Sequence, residues 1–470
     1  MPLSPPPAAP VLVWLRRDLR LADNSAILAA VATGRPVIVV YVLDDTSPGL
    51  WSAGGASRWW LHYSLASLAA DLAARGGALT LRRGRYEDAV PALVAETGAV
   101  AVHAGLPTEP WARAALGAVR ARLTVPLKVH LTTLLHRPDA IRTTAGGAFT
   151  VFTPFAKACH ASGEISDPEP APARIEGMHV ASDRLDDLRL LPTRPDWAGG
   201  LRAAWSPGEA GAIARFGEFV ASRLGGYAQR RDLPGVDGTS MLSPWLAFGE
   251  ISPRQAWRAA DPKFRSELLW REFAAHLLWH RQSLPEAPLR ANFAAMPWRT
   301  DPVALRAWQQ GRTGVPIVDA GMRQLWRTGW MHNRVRMIVA SFLVKHLLLP
   351  WQDGQAWFWD TLVDADLASN AASWQWVAGC GADAAPYFRV FNPVLQGRKF
   401  DPDGAYVRAY VPEVAALPDA LVHCPWEAPP MLRPRFYPAP IVDLAAGRAR
   451  ALAAFASVSA KGLESNPGSD

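Results

Sequence analysis

The hydrophobic spacing changes period part-way along the chain, and that change limits the fold more than any single residue does. Over residues 11–135 two periods alternate. Val11–Leu15, Pro36–Val42, Ala78–Leu81 and Val100–His103 are short apolar or β-branched runs that read as buried strands. Between them, Ser57–Arg75 and Tyr86–Thr97 carry helical spacing. Strands alternating with helices imply βαβ units and a parallel sheet. Arg16-Arg-Asp-Leu-Arg20 follows the first strand in place of a GxGxxG, which argues against a dinucleotide fingerprint. From about Ser206 the pattern is almost wholly helical, with Ser-Pro starts at Ser243-Pro244 and Ser252-Pro253.

The stretch between is irregular, and Asp167-Pro-Glu-Pro-Ala-Pro-Ala173 reads as an extended linker. The expected organisation is a Rossmann-like α/β domain over 9–136 and a linker over 137–205, then a larger all-α domain over 206–456 and a short tail over 457–470. A length of 470 residues suits two or three domains at about 150 residues each.

Composition narrows the function classes. Half of the residues are apolar and 19% are charged, an ordinary globular balance. The net charge of +7 fits an anionic partner, and equally fits a background composition rich in Arg and Ala. Three cysteines, Cys159, Cys380 and Cys424, with no CxxC spacing support neither a disulfide framework nor a zinc site, and suit a reducing cytoplasm. No signal peptide is legible at Met1–Pro7, and no uncharged apolar run approaches the length of about 18 residues that a membrane span requires. The 21 tryptophans are the anomaly, because each is bulky and needs a partner for its N–H.

Four clusters carry candidate chemistry. In Tyr227-Ala-Gln-Arg-Arg231 and Gly238-Thr239-Ser240-Met241-Leu242-Ser243, hydroxyls precede a helix start; they read either as a phosphate cradle or as simple caps. Glu267 shares a helix face with Trp270 and Arg271, as a surface ion pair or as a site. Asn333 and Met337 share a helix face, and the polar Asn333, Arg334 and Arg336 inside an otherwise apolar helix need partners, which points to a buried ligand or an interhelical salt bridge. Asp364, Asp366, Asn370, Trp374 and Trp376 lie within 13 residues; without His at ligand spacing they suit a heteroaromatic ligand with N–H donors better than a metal.

These clusters, together with Thr313-Gly-Val-Pro-Ile-Val-Asp-Ala-Gly-Met-Arg323, Phe391-Asn-Pro393 and the opening Trp14-Leu-Arg-Arg-Asp-Leu-Arg20-Leu-Ala-Asp-Asn24, resemble the photolyase/cryptochrome family. The likeness is closest to bacterial cyclobutane pyrimidine dimer photolyases and covers nearly the whole chain. It implies that FAD occupies the all-α domain. Tyr227, Thr239, Ser240, Met241, Leu242 and Ser243 should then surround the FAD phosphates, with Phe264, Arg271, Asn333, Arg336, Asp364, Asp366 and Asn370 on the rest of the cofactor. Arg336 and Asp364 resemble the family's buried ion pair beside the flavin, and Asn370 should face flavin N5. Phe264 stands where some relatives carry tryptophan.

The same resemblance places Arg231, Glu267, Trp270, Asn333, Arg334, Met337 and Trp376 at the lesion pocket. It makes Trp374, Trp351 and Trp298 an electron-transfer chain from the surface to the flavin. The implied activity is light-driven repair: a dimer in UV-damaged single- or double-stranded DNA is flipped out, and excited reduced FAD donates an electron that later returns. Glu267 can hydrogen-bond the dimer or donate a proton to it. Repair enzymes for the (6-4) photoproduct carry histidines at the positions of Asn333 and Met337, so cyclobutane dimers are the implied lesion. A cryptochrome-like blue-light photoreceptor is the alternative, disfavoured by Asn370. The family's α/β domain often holds an antenna; methenyltetrahydrofolate is preferred here over 8-hydroxy-deazaflavin, with Thr108-Glu109-Pro110-Trp111 at the antenna side. A cytoplasmic monomer without membrane contact is expected.

Overall fold

A computed structural model of the chain describes residues 8–383 and 388–464; the proline-rich start and the last six residues of the expected tail lie outside it. The N-terminal part builds five strands, β1 (Val11–Leu15), β2 (Val37–Leu43), β3 (Leu79–Arg83), β4 (Val102–Gly105) and β5 (Leu127–His130). They form one parallel sheet of order β3-β2-β1-β4-β5. The connecting helices are α1 (Ser25–Val31), α2 (Gly55–Ala73), α3 (Tyr86–Thr97) and α4 (Pro110–Arg122). β1 and β2 are buried along their whole length, as continuous apolar runs covered on both faces must be. β5, α1 and α4 are absent from the sequence-based expectation. β5 is a short edge strand with partly exposed side chains, so it lacks the apolar run that marks a central strand.

The proline-rich stretch does not hang free: Asp23 N donates to Glu169 O at 2.8 Å, and Glu169 N donates to Asp23 Oδ1 at 3.0 Å. Val37 N donates to Glu176 O, Met178 N to Val37 O, and Asp183 N to Leu81 O, which straps the connection along the sheet domain. The same connection contains a helix, α5 (Phe152–Ala161).

Among the described residues no strand follows His130. The helical part is built on α6 (Pro262–His280), α7 (Pro316–Thr328), α8 (Asn333–Ser341), α9 (Trp351–Thr361), α10 (Leu367–Ala378) and α11 (Leu444–Glu464). α8 runs on into a π-helical turn at Phe342–His346, and α11 carries helix past Ser457 into the segment expected to be tail. Of the two Ser-Pro starts, Ser252 forms a full capping box with Gln255. Ser243 instead lies inside its helix and makes no capping bond, because Leu242 occupies the cap position.

Arginine guanidinium groups and backbone carbonyls join the two parts. Arg20, fully buried, donates to Gly249 O at 2.9 Å and to Thr132 O at 2.6 Å. Arg17 donates to Ala247 O at 3.2 Å and to Ala365 O at 2.9 Å. Gly249 (φ +65°) lies so close that a Cβ there would sit 2.1 Å from Arg17 O. Next to it, the buried Glu250 carboxylate accepts from Trp60 Nε1 (2.9 Å) and Ser64 on α2, and from Gly208 N (2.7 Å).

Burial raises the Glu250 pKa to about 8, against the opposing pull of the Ser64, Trp60 and Gly208 donors. The folded state therefore holds this proton more tightly than the unfolded one. Its contribution to stability is greatest below the ordinary glutamate range and falls as pH rises toward about 8. Glu250→Gln cannot ionise, so its thermal midpoint should gain on the parent's between about pH 5 and pH 8. Parallel midpoints across that range would contradict the assignment.

Candidate active site

The turn Gly238–Ser243 is shaped by a residue that the motifs do not reveal. Arg215 donates through Nη2 to Thr239 O (3.0 Å) and through Nε to Ser240 O (2.9 Å), and pairs with Asp237 at 2.9 Å. Met241 takes a positive φ of 54°, rare for a side chain of its size, so the turn is held by its surroundings rather than by preference. Leu242 is buried, and exposed Ser243 accepts from Trp330 Nε1 at 3.2 Å. Tyr227 is buried with its ring edge-on to Phe264 at 5.6 Å, and burial raises its phenol pKa.

The ion pair implied for the flavin side is present. Arg336 Nη2 lies 2.7 Å from Asp364 Oδ2, with the Asp364 side chain 2% exposed. Arg336 Nε is used by Met331 O at 2.7 Å, whereas Asp364 Oδ1 is buried with no partner in the protein. A buried carboxylate oxygen in that state fits an N–H or O–H donor from a ligand. Asn370, also buried, gives Nδ2 to Gln355 O at 3.1 Å, which leaves its carbonyl oxygen for a ligand. Asp366 caps α10 through Ser369 N at 2.8 Å, and Arg271 donates to Thr133 O at 2.7 Å. Burial pushes the His332 pKa down to about 4, so the ring is neutral. Its Nδ1 accepts from Arg334 N at 3.2 Å, which puts the remaining proton on Nε2.

A second group of side chains is carried by α6, α8 and α10. Glu267 on α6 pairs with Arg231 and, at 3.0 Å, with Lys263 one turn earlier. Arg334 on α8 pairs with Asp232 at 2.9 Å and lies 4.3 Å over the Phe400 ring. Its Nη1 is 3.8 Å from Met337 Sδ, while Asn333 at the start of α8 is exposed. Trp270 and Trp376 are half-buried, and Trp376 Nε1 donates to Asp383 O at 3.3 Å. The i,i+4 spacing of Lys263 to Glu267 is a signal that could have found Lys263. Asp232 and Arg215 carry no sequence signal of their roles.

Comparison with known proteins matches this arrangement to one family. A family model described as "DNA photolyase" covers residues 11–174, and one described as "FAD binding domain of DNA photolyase" covers residues 264–457. The deoxyribodipyrimidine photo-lyase of Agrobacterium fabrum is 47% identical over 96% of this chain and 98% of that protein. The chain belongs to the DNA photolyase family. A bacterial class III photolyase from Agrobacterium tumefaciens superposes with a TM-score of 0.93 over 97% of this chain and 99% of that one, at 47% identity. Cryptochrome-2 of Arabidopsis thaliana is more distant, 36% identical over 89% of this chain and 73% of that protein. The helical part is the FAD-binding domain of a photolyase, and the orphaned Asp364 oxygen, the free Asn370 carbonyl and the hydroxyl-rich turn fit that cofactor.

The three tryptophans expected to form a relay, Trp374, Trp351 and Trp298, lie in or against one continuous core. Trp374 and Trp351 are each 2% exposed, and Trp298 is half-buried against the same core. The Trp374 ring lies over Gly354, where a Cβ would meet it at 2.1 Å; Gly354 is one turn along α9 from Trp351. Arg299, next to Trp298, is tied to Leu348 O at 2.8 Å just before α9 begins. A second partner of Trp374 was not foreseen: Trp308, fully buried, meets it edge-on at 6.2 Å.

A pocket also opens where the sheet meets the helical part. Thr108, Glu109 and Trp111 line it, as do Tyr41, Tyr86 and Asp18, and it reaches Arg271 and Asp366. Asp18 Oδ2, Arg16 Nη1 and Thr132 Oγ1 are buried there without protein partners. Returning to the relay, we expect Trp374→Phe to keep its FAD yet photoreduce it about tenfold more slowly, or slower still, under blue light. Photoreduction at the parental rate, read as loss of oxidised-flavin absorbance, would remove Trp374 from the relay.

Proposed function

We propose that this photolyase repairs cyclobutane pyrimidine dimers in UV-damaged DNA, single- or double-stranded, under light. The observation that carries the reading is the conjunction of Glu267, Trp270, Arg334, Met337 and Trp376 with Asn370, with no histidine at positions 333 or 337. Bound in its reduced state and excited by light, FAD supplies an electron to the lesion. Every other task falls to the chain.

A dimer must leave the duplex to reach a buried cofactor, and damage weakens the pairing and stacking that oppose this. Trp270 and Trp376 offer apolar surfaces to the two fused rings. Glu267, held between Arg231 and Lys263, presents carboxylate oxygens to the N–H groups of a pyrimidine. Arg231 and Arg334 keep positive charge at this rim, where it attracts phosphates. Burial opposes the charge on Arg231, but the Glu267 carboxylate beside it prevails and its pKa is raised.

Two further assignments rest on the same reading. Asn370, whose Nδ2 is used by Gln355 O, would offer its carbonyl oxygen to the N5–H of a bound flavin, which would favour the reduced form. The pocket at the sheet holds a light-harvesting chromophore. The buried Asp18 oxygen and Thr132 hydroxyl suit the amide edge of a pterin, and Tyr86 stacked on Trp111 (6.4 Å, 10°) gives it an aromatic wall, so methenyltetrahydrofolate is preferred to 8-hydroxy-deazaflavin.

Illuminating the reduced holoenzyme with thymine-dimer oligothymidylate tests the function. Dimers should disappear only in the light, (6-4) photoproducts should persist, and Glu267→Ala should lower the repair yield about tenfold while keeping its FAD. No light-dependent loss would favour a cryptochrome-like photoreceptor. Equal loss of FAD and repair in Glu267→Ala would make Glu267 structural.

A further inference from the structure

The connection between the sheet and the helical part contributes to the second group of side chains. Phe152, the first residue of α5, stacks on Trp270 with ring centroids 3.8 Å apart and planes 6° from parallel. It also meets Phe273 edge-on at 6.0 Å, one turn further along α6. One face of the Trp270 indole is therefore covered, and a pyrimidine can meet this ring only on its other face or at its edge.

The same segment reaches the opposite tryptophan. Asp383 N donates to Thr150 O at 3.1 Å. Asp383 O in turn accepts the Trp376 indole N–H at 3.3 Å. Asp383 adopts φ +51°, a conformation that Asp tolerates better than most residues, and this turns its backbone toward both partners. The connection is thus tied to Trp270 directly, and to Trp376 through Asp383, by short, directional contacts.

We propose that Thr150–Phe152 and Asp383 form a brace that sets the spacing and tilt of Trp270 and Trp376, so that Phe152 is a positioning residue for dimer recognition. This rests on the reading of those two tryptophans as lesion walls. An indole free to rotate would lose surface against a flipped dimer but would leave undamaged DNA, held at its phosphates, unaffected. The brace therefore acts on discrimination, not on general affinity.

The test measures binding of the FAD holoenzyme to oligothymidylate with and without a single thymine dimer. Phe152→Leu keeps an apolar side chain but removes the ring; it should weaken dimer binding about threefold to tenfold and leave undamaged binding and FAD content unchanged. Phe152→Tyr restores the stack and should restore the preference. Unchanged dimer affinity in Phe152→Leu, or failure of Phe152→Tyr to restore it, would overturn the brace. Tighter dimer binding by Phe152→Leu would overturn it too, by showing that Phe152 obstructs the pocket. A parent protein with no preference for the dimer would overturn the lesion-wall reading itself.

Discussion

The site depends on a buried seam between two architectures. Arg17 and Arg20, just after β1, use guanidinium groups to satisfy carbonyl oxygens on the far side, including Gly249 O, Ala247 O and Ala365 O. Arginine suits this task because its planar fork serves several acceptors at once and keeps its charge. Ala365 lies between Asp364 and Asp366, so the seam also fixes the segment that carries the ion pair to Arg336 and the cap of α10. Glu250 closes the other side against α2. Removing one partner from such a seam leaves buried polar groups unpaired, at about 1–3 kcal/mol each.

This arrangement explains how a helical bundle can carry two sites close together. Arg271 and Asp366 reach the pocket at the sheet, while α6 and α10 carry Glu267, Trp270, Asn370 and Trp376. The two helices pack against each other, so Asn370, Trp270 and Trp376 share one scaffold. Rigid elements hold such constellations more accurately than loops do. The exceptions are the Gly238–Ser243 turn, held by Arg215, and Asp383, held by Thr150.

Much of this is legible in the sequence, for stateable reasons. The two periodicities separate the sheet from the helical part, because strand and helix spacing differ most where apolar runs are long. β5 escapes because Leu127–His130 is short, partly exposed and at an edge. The family resemblance pairs Arg336 with Asp364, whereas the motif alone says only that a charge within an apolar helix needs a partner or a ligand. Motifs do not reveal Arg215, Asp232 or Phe152, whose roles arise from contacts between segments distant in sequence. Phe152 lies in a stretch that reads only as a connection, and no spacing rule links it to Trp270. Ser243 reads as an N-cap by composition, yet its hydroxyl is used by Trp330 instead.

In the proposed reaction, FAD in the helical part would transfer an electron to a lesion held by α6, α8 and α10. The excited-state lifetime of the reduced flavin, measured with and without a bound thymine-dimer oligonucleotide, tests it most directly. The dimer should shorten the lifetime severalfold, while an undamaged strand of the same length leaves it unchanged. An equal lifetime with both strands, at concentrations where both are bound, would rule out electron transfer from the flavin to the lesion.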